Sequence, residues 1–598
     1  MKSPARLRDP RYAPNRLASP IRTPRLGVAS DIKVSMSTNP HQTIAHVLEH
    51  WATTKPDATA YTFIEPAQSD ESLTYAELWR RVSSTAKVIE EHGDPDDRLV
   101  LLLPGGSGFV VAFLACMLAR RAAVPTPPPR NERALKRTKG IVEDSGASAM
   151  LVMPGEKLRL ELSGLKQDGL HIIELSSEIW DGVVNSDFPI LTAPDNIALV
   201  QYTSGSTSQP KGVVVRHRNL YDNLEHLRVR FGYGPESRLV SWLPIFHDMG
   251  LMGGMLAPFF AGVPGAIMLP QDFVMKPIRW LQLMSSFGGT VSGGPNFAYD
   301  ICVSRISDED VPSLDLSTWQ AALNGAEPIR ASTLERFSAK FAPAGFDPGA
   351  FLSCYGLAEA TLLVSCTGLN NAPAVAAVDH KRLSEGVAVH SDSPEARRIV
   401  SCGKTIDNHE LAVLDTESGL PLPEHSVGEI VVAGPSVCRN YWDPRSERRT
   451  TDDALTQGTN SAPVLRTGDL GFQSDGELYV TGRLKNTVII RGRNLSCEGV
   501  EEVAQSAHPS LYSCLSAALS VDDGKRERLV ILQEAPAESL TQLEDIICNI
   551  QEAVAAHHGV RVDDVVLVKT RSLPQTTSGK VRRAEALKRY RNGQLAPL

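Results

Sequence analysis

The feature that most constrains this chain is a recurring short run of apolar residues with no polar alternation. Residues 99–103 read Leu-Val-Leu-Leu-Leu and stop at Pro104-Gly105-Gly106. A strand built from such a run has no face to offer water, so it must be covered on both sides, as in a parallel sheet flanked by helices. The same pattern returns at 149–152, 172–175, 198–201 and 265–269. Between these runs the apolar spacing becomes helical. Ile44, Val47, Leu48 and Trp51 fall at i, i+3, i+4 and i+7, and 109–118 and 278–284 read as further helices. Strands alternating with helices predict an α/β fold with parallel sheets covered on both faces. After Glu410 the texture changes to short runs at 410–415, 428–433 and 478–480 separated by turn residues, which predicts a small β-rich subdomain. A strand at 487–491 follows, and alternation resumes at 529–533 and 545–555, predicting a small α/β domain at the C-terminus.

Composition narrows the function classes. A net charge of −8 argues against a chain built to wrap nucleic acid. The longest apolar stretch, 109–119, ends at Arg120-Arg121 and is too short for a bilayer, so it predicts a buried helix and no transmembrane segment. The nine cysteines form no CxxC pair and read as reduced thiols of a cytoplasmic protein. Residues 1–40 stand apart: rich in Arg and Pro, poor in acidic residues and without an apolar core, they predict a disordered basic tail and not a secretory signal. An accidental extension, with Met36 as the true start, is the expectation for this tail.

The chemistry concentrates in Tyr202-Thr-Ser-Gly-Ser-Thr-Ser-Gln-Pro-Lys-Gly-Val213, directly after an apolar strand candidate. Backbone N–H groups and hydroxyls in such a loop cradle phosphate oxygens, and Lys211 adds positive charge. It is not a Walker A loop, because its glycines and lysine lack the required spacing. Composition alone leaves an ordinary surface loop equally open.

The order of residues is more specific, and it resembles the signature loop of the acyl-adenylate-forming superfamily, in which an acid is activated by ATP. Further segments resemble that family in its chain order. Trp242-Leu-Pro-Ile-Phe-His-Asp-Met-Gly250 resembles the acyl-pocket segment. Asn324-Gly-Ala-Glu-Pro328 and Tyr355-Gly-Leu-Ala-Glu-Ala-Thr361 resemble the adenine-site segments. Arg466-Thr-Gly-Asp-Leu-Gly471 resembles the ribose motif, Gly482-Arg483 the start of the hinge, and Pro574-Gln-Thr-Thr-Ser-Gly-Lys580 the C-terminal lysine loop. The resemblance runs from about residue 41 to the end.

It implies an N-terminal AMP-binding domain over 41–482, with its parallel sheets divided into two parallel-sheet subdomains, and a mobile C-terminal lid domain over 483–598, with a hinge near Asn486. It also implies roles. Thr203, Ser204, Gly205, Ser206, Thr207 and Lys211 would hold the phosphates of ATP. Gly325, Ala326, Glu327, Tyr355 and Gly356 would form the adenine site, with Tyr355 stacking on the base. Glu359 would hold Mg²⁺, Asp469 and Arg483 the ribose, and Lys580 would bridge the acyl carboxylate and the reacting phosphate. Phe246, His247, Met249, Met252 and Phe297 would line the acyl pocket, with room for a chain left by Gly288, Gly289, Gly293 and Gly294; His247 lines or gates that tunnel or is simply a buried histidine.

Within the superfamily the strings 242–254, 292–299 and 355–362 resemble the fatty-acyl-AMP ligases. The segment between Glu359 and Gly403 is long for a simple connection. The resemblance implies a branch-specific insertion there, about 367–393, associated with poor use of free coenzyme A. The acyl acceptor would then be the phosphopantetheine thiol of a separate acyl carrier protein, met by a positive surface drawn from Arg491, Arg493, Arg582, Arg583 and Lys588. Three positions depart from the family pattern: Ser208 in the phosphate loop, Asn486 at the hinge, and Cys497 in the 492–499 segment that serves thioester formation. The competing readings are a fatty-acyl-CoA synthetase and a catalytically silent protein that binds nucleotide or acyl-adenylate.

Overall fold

The computed structural model describes residues 43–598, apart from 66–68, 130, 166–168, 181–187, 204–210, 444–463, 491–492, 523–526 and 577–578. The basic tail therefore lies outside the described residues, as do Ser204, Gly205, Ser206, Thr207 and Ser208 of the phosphate loop.

Two large sheets carry most of the chain. In the six-stranded sheet the order is His171–Glu174, Ala149–Val152, Arg98–Leu102, Ala122–Pro125, Ile197–Thr203 and Lys211–Arg216. The strands Arg98–Leu102, Ala122–Pro125 and Ala149–Val152 are buried along their whole length, as their uninterrupted apolar runs require. The nine-stranded sheet runs from Lys404–Thr405 through Leu363–Cys366, Phe351–Gly356, Ala321–Asn324, Val291–Gly294, Leu239–Ser241, Gly265–Met268 and Thr59–Ile64 to Glu71–Thr74.

Neither sheet is parallel throughout. Neighbours are parallel in the middle of each, but Ile197–Thr203 pairs antiparallel with Lys211–Arg216, and the nine-stranded sheet has antiparallel pairs at both ends. Only parallel neighbours need a crossover connection; antiparallel neighbours do not. Four of the five apolar runs form inner strands; the fifth, 172–175, expected to be doubly buried, forms the edge strand His171–Glu174, with Glu174 as its polar position and one face only partly covered.

The helix Ser107–Leu118 is apolar on every side and buried from Gly108 to Leu118. Among the described residues no helix is long and apolar enough to cross a membrane. A second core is aromatic: Trp280, Tyr299, Trp319, Phe337 and Phe351 meet largely edge to face, the arrangement their ring quadrupoles favour.

The β-rich unit is an antiparallel meander of Glu410–Leu414, Gly428–Ala433, Val464–Ser474 and Glu477–Arg483. Inside the long segment after Glu359, strand Val375–Val378 pairs with Arg397–Val400 and helix His380–Ser384 follows. Val378, Ala388 and Ile399 pack there on Phe472 and Tyr479 of the meander. Beyond Arg483 come the hairpin Thr487–Ile490/Arg493–Ser496 and a sheet of Ser516–Asp522, Glu527–Ala535 and Asp564–Lys569. Helices Cys497–Ser506 and Leu543–His558 cover one face of that sheet, and Arg583–Arg591 covers the other.

The C-terminal unit touches the rest at several points. Arg330 donates to Gln505, the Arg336 guanidinium lies 4.6 Å from the Tyr512 ring centre, and His380 meets His557 and His558 at ring separations of 5.2 and 5.0 Å. The segment 492–499 is not one loop: its described part is a strand that runs into the helix beginning at Cys497.

The glycines expected to make room for an acyl chain serve packing instead. Gly288 is the left-handed cap of helix Ile278–Phe287. A Cβ on Gly289 would stand 2.7 Å from Met284 Sδ, and one on Gly294 2.6 Å from the Trp242 ring. A Cβ on Gly293 would stand 2.2 Å from the Leu323 carbonyl oxygen. Gly293→Ala should therefore cost ~1–3 kcal/mol of stability through overpacking, read as a lower melting temperature with unchanged substrate range. Gly253→Ala, whose Cβ would meet only a Leu362 methyl at 3.7 Å, should leave the melting temperature unaltered.

Candidate active site

The site is organised around Asp469. Gly468, at φ +70°, turns the backbone just before it, and the strand register sets Asp469 opposite Arg483. The Asp469 carboxylate is buried, at 6% exposure. Its Oδ1 accepts a hydrogen bond from Arg483 Nε at 2.5 Å, and its Oδ2 accepts one from the Tyr355 hydroxyl at 2.9 Å. Burial, followed by the negative charge of Asp469, pushes the Tyr355 hydroxyl well above its ordinary value, so it stays a donor. One carboxylate thus ties the meander to the end of strand Phe351–Gly356.

Tyr355 leads into a tight turn. Leu357 N–H donates to the Leu362 carbonyl at 2.9 Å, and a Cβ on Gly356 would stand 1.8 Å from that same oxygen. Only glycine fits, which explains Gly356 without assigning it a ligand. The turn presents Glu359, whose Oε1 accepts a hydrogen bond from the Tyr441 hydroxyl at 2.9 Å. Lys211 Nζ sits 4.9 Å from the centre of the Tyr441 ring. The ends of the phosphate loop are paired, Thr203 opposite Lys211.

Lys580 arrives from the C-terminal unit on a compact turn: Thr576 N–H donates to the Lys580 carbonyl at 2.8 Å, and Gly579 has φ +85°. Gly579 approaches Phe297, where an added Cβ would stand 3.7 Å from the ring. The lysine side chain enters a cleft that is still open to water. Burial among the surrounding atoms and the Arg483 charge lower its ammonium below the usual lysine range, while Asp248, Asp469 and Glu327 pull the other way. Glu327 follows Ala326, which is held at φ +67°, a strained conformation for a non-glycine residue. Its Oε1 accepts the Phe297 N–H at 2.6 Å, and burial raises its carboxyl despite that bond. A Cβ on Gly325 would stand 2.9 Å from the Cys354 carbonyl oxygen, so this glycine is needed for close backbone approach.

The remaining expected positions flank this cleft. His247 Nδ1 lies 2.6 Å from Asp248 Oδ1. Burial raises the Asp248 carboxyl, but the His247 charge and hydrogen bond, the Met249 N–H and Lys580 outweigh it and hold it below the usual carboxylate range. Asp248 caps the π-helix Met249–Leu256, a wide turn often found at functional sites. Met252 is fully buried in the main core, Met249 bridges two cores, and Phe297 lies edge-on to Trp242 at 6.3 Å. The Phe246 carbonyl accepts from Gln201 Nε2 at 3.0 Å.

At the expected hinge, Asn486 Nδ2 donates to Glu498 Oε1 at 2.6 Å. Arg583 reaches the same oxygen at 3.1 Å and is bidentate to Glu501 at 2.7 and 2.6 Å. Arg583 is thereby removed from the positive docking surface expected of it, because its charge neutralises two carboxylates of its own unit. Arg491 lies outside the described residues.

The sequence resembles known proteins along nearly its whole length. Residues 48–442 match the family described as AMP-binding enzyme, and 485–597 match the Disco-interacting protein 2-like AMP domain. The chain belongs to the AMP-binding enzyme family. Among curated relatives of this family, the medium-chain-fatty-acid–[acyl-carrier-protein] ligase JamA of Moorena producens is 36% identical, over 94% of this chain and 97% of its own length. The long-chain-fatty-acid–AMP ligase FadD26 of Mycobacterium marinum is 34% identical, over 92% and 97%. A structure from work on fatty acyl-adenylate ligases of E. coli and L. pneumophila superposes with a TM-score of 0.81 at 32% identity, covering 92% of this chain and 98% of that one. The L. pneumophila fatty acyl-adenylate ligase in complex with acyl adenylate and pyrophosphate superposes at 0.70, also at 32% identity, covering 93% and 97%.

Three participants in the cleft of this AMP-binding enzyme went unseen in the sequence. Tyr441 has no local signal, because its partners Lys211 and Glu359 are remote in the chain. Asp248 stands inside a quoted motif, but only the fold brings Lys580 to it. Glu498 was visible beside Gly499, but its bond to Asn486 was not. Asn486→Asp would set two carboxylates against each other across that bond. It should loosen the attachment of the C-terminal unit, read as faster limited proteolysis near residue 486 and a larger radius of gyration, whereas Asn486→Lys should preserve the attachment.

Proposed function

We propose that this chain activates a fatty acid with ATP, forming acyl-adenylate and pyrophosphate, and then passes the acyl group to the phosphopantetheine thiol of a separate acyl carrier protein. The observation that carries the reading is the place of Lys580. A cation from the C-terminal unit stands in one cleft with Asp469 and Arg483, on a turn whose Gly579 approaches Phe297. Attack of a carboxylate oxygen on the α-phosphorus forms the acyl–phosphate bond and expels pyrophosphate. It brings anions together, so a fixed cation helps most in the transition state.

In this reading Asp469 and Arg483 orient the ribose, Tyr355 and the 325–327 segment hold the adenine, and Thr203 to Thr207 with Lys211 receive the outer phosphates. Residues 483–598 act as a lid turning near Asn486. Glu359 suits Mg²⁺: it offers a half-buried hard oxygen donor, oriented by Tyr441, and Mg²⁺ takes one or two carboxylates together with substrate phosphates. When bound there, Mg²⁺ would neutralise phosphate charge. Phe246, His247, Met249, Met252 and Phe297 line the acyl side of the cleft. The names of JamA and FadD26 support a fatty acid as the acid and, for JamA, a carrier protein as the acceptor. Arg493, Arg582 and Lys588 remain as cationic candidates on the C-terminal unit. The free thiols support a cytoplasmic setting.

Lys580→Ala should lower the kcat of adenylation ~10²–10³-fold while nucleotide binding persists; equal rates in variant and parent would sink the mechanism. The pH profile adds a sign. Catalysis needs the protonated amine, and the cleft lowers its pKa, so kcat/KM should fall with rising pH before an ordinary lysine would titrate. Lys580→Arg, if active, should move that descending limb upward. Product analysis with and without coenzyme A decides the acceptor. Acyl-adenylate that accumulates regardless of coenzyme A, and is consumed by a phosphopantetheinylated carrier protein, supports the reading; conversion to acyl-CoA would make the enzyme an acyl-CoA synthetase.

A further inference from the structure

Away from the cleft, helix His217–Arg230 carries Asp222 and His226 one turn apart on a single face. Opposite them stands His409, in the link between strands Lys404–Thr405 and Glu410–Leu414. The three offer ligand atoms that all lie within 4.8 Å of one another. We propose that Asp222, His226 and His409 form a binding site for a divalent transition metal, zinc in the first instance, beside the segment that carries Glu359. The site is independent of the reaction assigned to the cleft.

The geometry fits. Asp222 Oδ2 lies 3.7 Å from His226 Nε2 and 3.8 Å from His409 Nε2. Ligand atoms about 2.0–2.1 Å from a tetrahedral zinc lie roughly 3.4 Å apart, so the two carboxylate–imidazole distances need to contract by only a few tenths of an ångström, within a set that spans no more than 4.8 Å. The present distances are too long for hydrogen bonds. Asp222 Oδ2 is buried and takes no hydrogen bond from the described residues. A buried carboxylate oxygen between two imidazoles, and bonded to neither, is open to a cation as it is to a proton.

His409 is held as a ligand is held. Its imidazole is fully buried. Its Nδ1 lies 2.9 Å from the Asp407 carbonyl, so Nδ1 carries the proton and Nε2 offers the lone pair to the site. A backbone carbonyl on the far nitrogen is the usual outer support of a metal-binding histidine. Asn408, at φ +58°, turns the chain into the ring's position. A Cβ on Gly434 would stand 2.1 Å from the imidazole, so glycine is required for the ring to lie where it does. The His226 ring meets the His409 ring edge-on at 5.4 Å. Ser436 also approaches Nε2, its Oγ at 2.7 Å and its N–H at 3.2 Å. A metal at Nε2 would have to displace both of these contacts, while the Ser436 hydroxyl oxygen, which accepts from Asn223 Nδ2 at 3.1 Å, stands close by as a further oxygen. Two imidazoles and one carboxylate favour zinc, cobalt or nickel over magnesium.

The site also has a structural consequence. The Ser436 carbonyl accepts from Thr361 Oγ1 at 2.7 Å, and Cys438 N–H donates to the Glu359 carbonyl at 2.8 Å. A metal joining the helix, the 407–409 link and Ser436 would clamp the support of the Glu359 turn, so its binding should raise the melting temperature.

The test uses untagged full-length protein, stripped with a chelator, loaded with Zn²⁺ and passed through a desalting column before elemental analysis. The expected result is about one retained zinc per chain, with a higher melting temperature than the stripped protein. Asp222→Asn and His226→Gln should each lower retention roughly tenfold or more and abolish the thermal shift, while His557→Gln, outside the site, retains the metal. The proposal is overturned if the parent retains no zinc, or if Asp222→Asn and His226→Gln retain as much as the parent, which would make the binding adventitious. Should those substitutions unfold the chain, Co²⁺-loaded parent decides. The visible bands of a four-coordinate nitrogen and oxygen set support the site; failure to bind Co²⁺, or a thiolate charge-transfer band, overturns it.

Discussion

The Asp469 carboxylate is the interaction on which the cleft depends. A buried carboxylate is tolerated only when it is paired and hydrogen-bonded, and Asp469 meets that condition by drawing Arg483 and Tyr355 to its two oxygens. In doing so it joins the meander to the nine-stranded sheet and sets a guanidinium at the edge of the cleft. Lys580 then enters a field already shaped by Asp469, Asp248 and Glu327 on one side and Arg483 on the other. The balance keeps a lysine charge in a place where burial and a neighbouring cation oppose it.

The position of that lysine is also the result of the contacts that seat the C-terminal unit. Arg330 with Gln505, Arg336 with Tyr512, and His380 with His557 and His558 hold the unit. Glu498 acts at the joint itself, taking Asn486 from the connection and Arg583 from the unit's last helix. His380 belongs to the segment read as a branch-specific insertion, so that segment touches the unit that delivers Lys580.

The support beneath Glu359 has comparable depth. The Gly356–Leu362 turn is closed by backbone contact, Thr361 reaches the Ser436 carbonyl, and Ser436 reaches His409. The cleft and the proposed metal site therefore share a wall, although their donor sets differ: hard oxygen in one, imidazole and carboxylate in the other.

Local pattern determined what depends on neighbours in the chain. Unbroken apolar runs at 99–103, 149–152, 198–201 and 265–269 marked strands inside the sheets, because a strand without polar positions has no wet face, whereas 172–175, interrupted by Glu174, became the partly exposed edge strand His171–Glu174. The ordered motifs, read by their resemblance, named Lys211, Tyr355, Glu359, Asp469, Arg483 and Lys580, all of which the fold brings to one cleft or its rim. Tertiary structure alone decided the rest. The antiparallel edges, the Tyr441 contact with Glu359, the withdrawal of Arg583 into a buried ion pair and the packing duty of Gly293 each depend on a partner distant in sequence. The meeting of Asp222 and His226 with His409 is of the same kind. Periodicity records which side of an element is apolar, but not which other element lies against it, and that juxtaposition is where these groups acquire their chemistry.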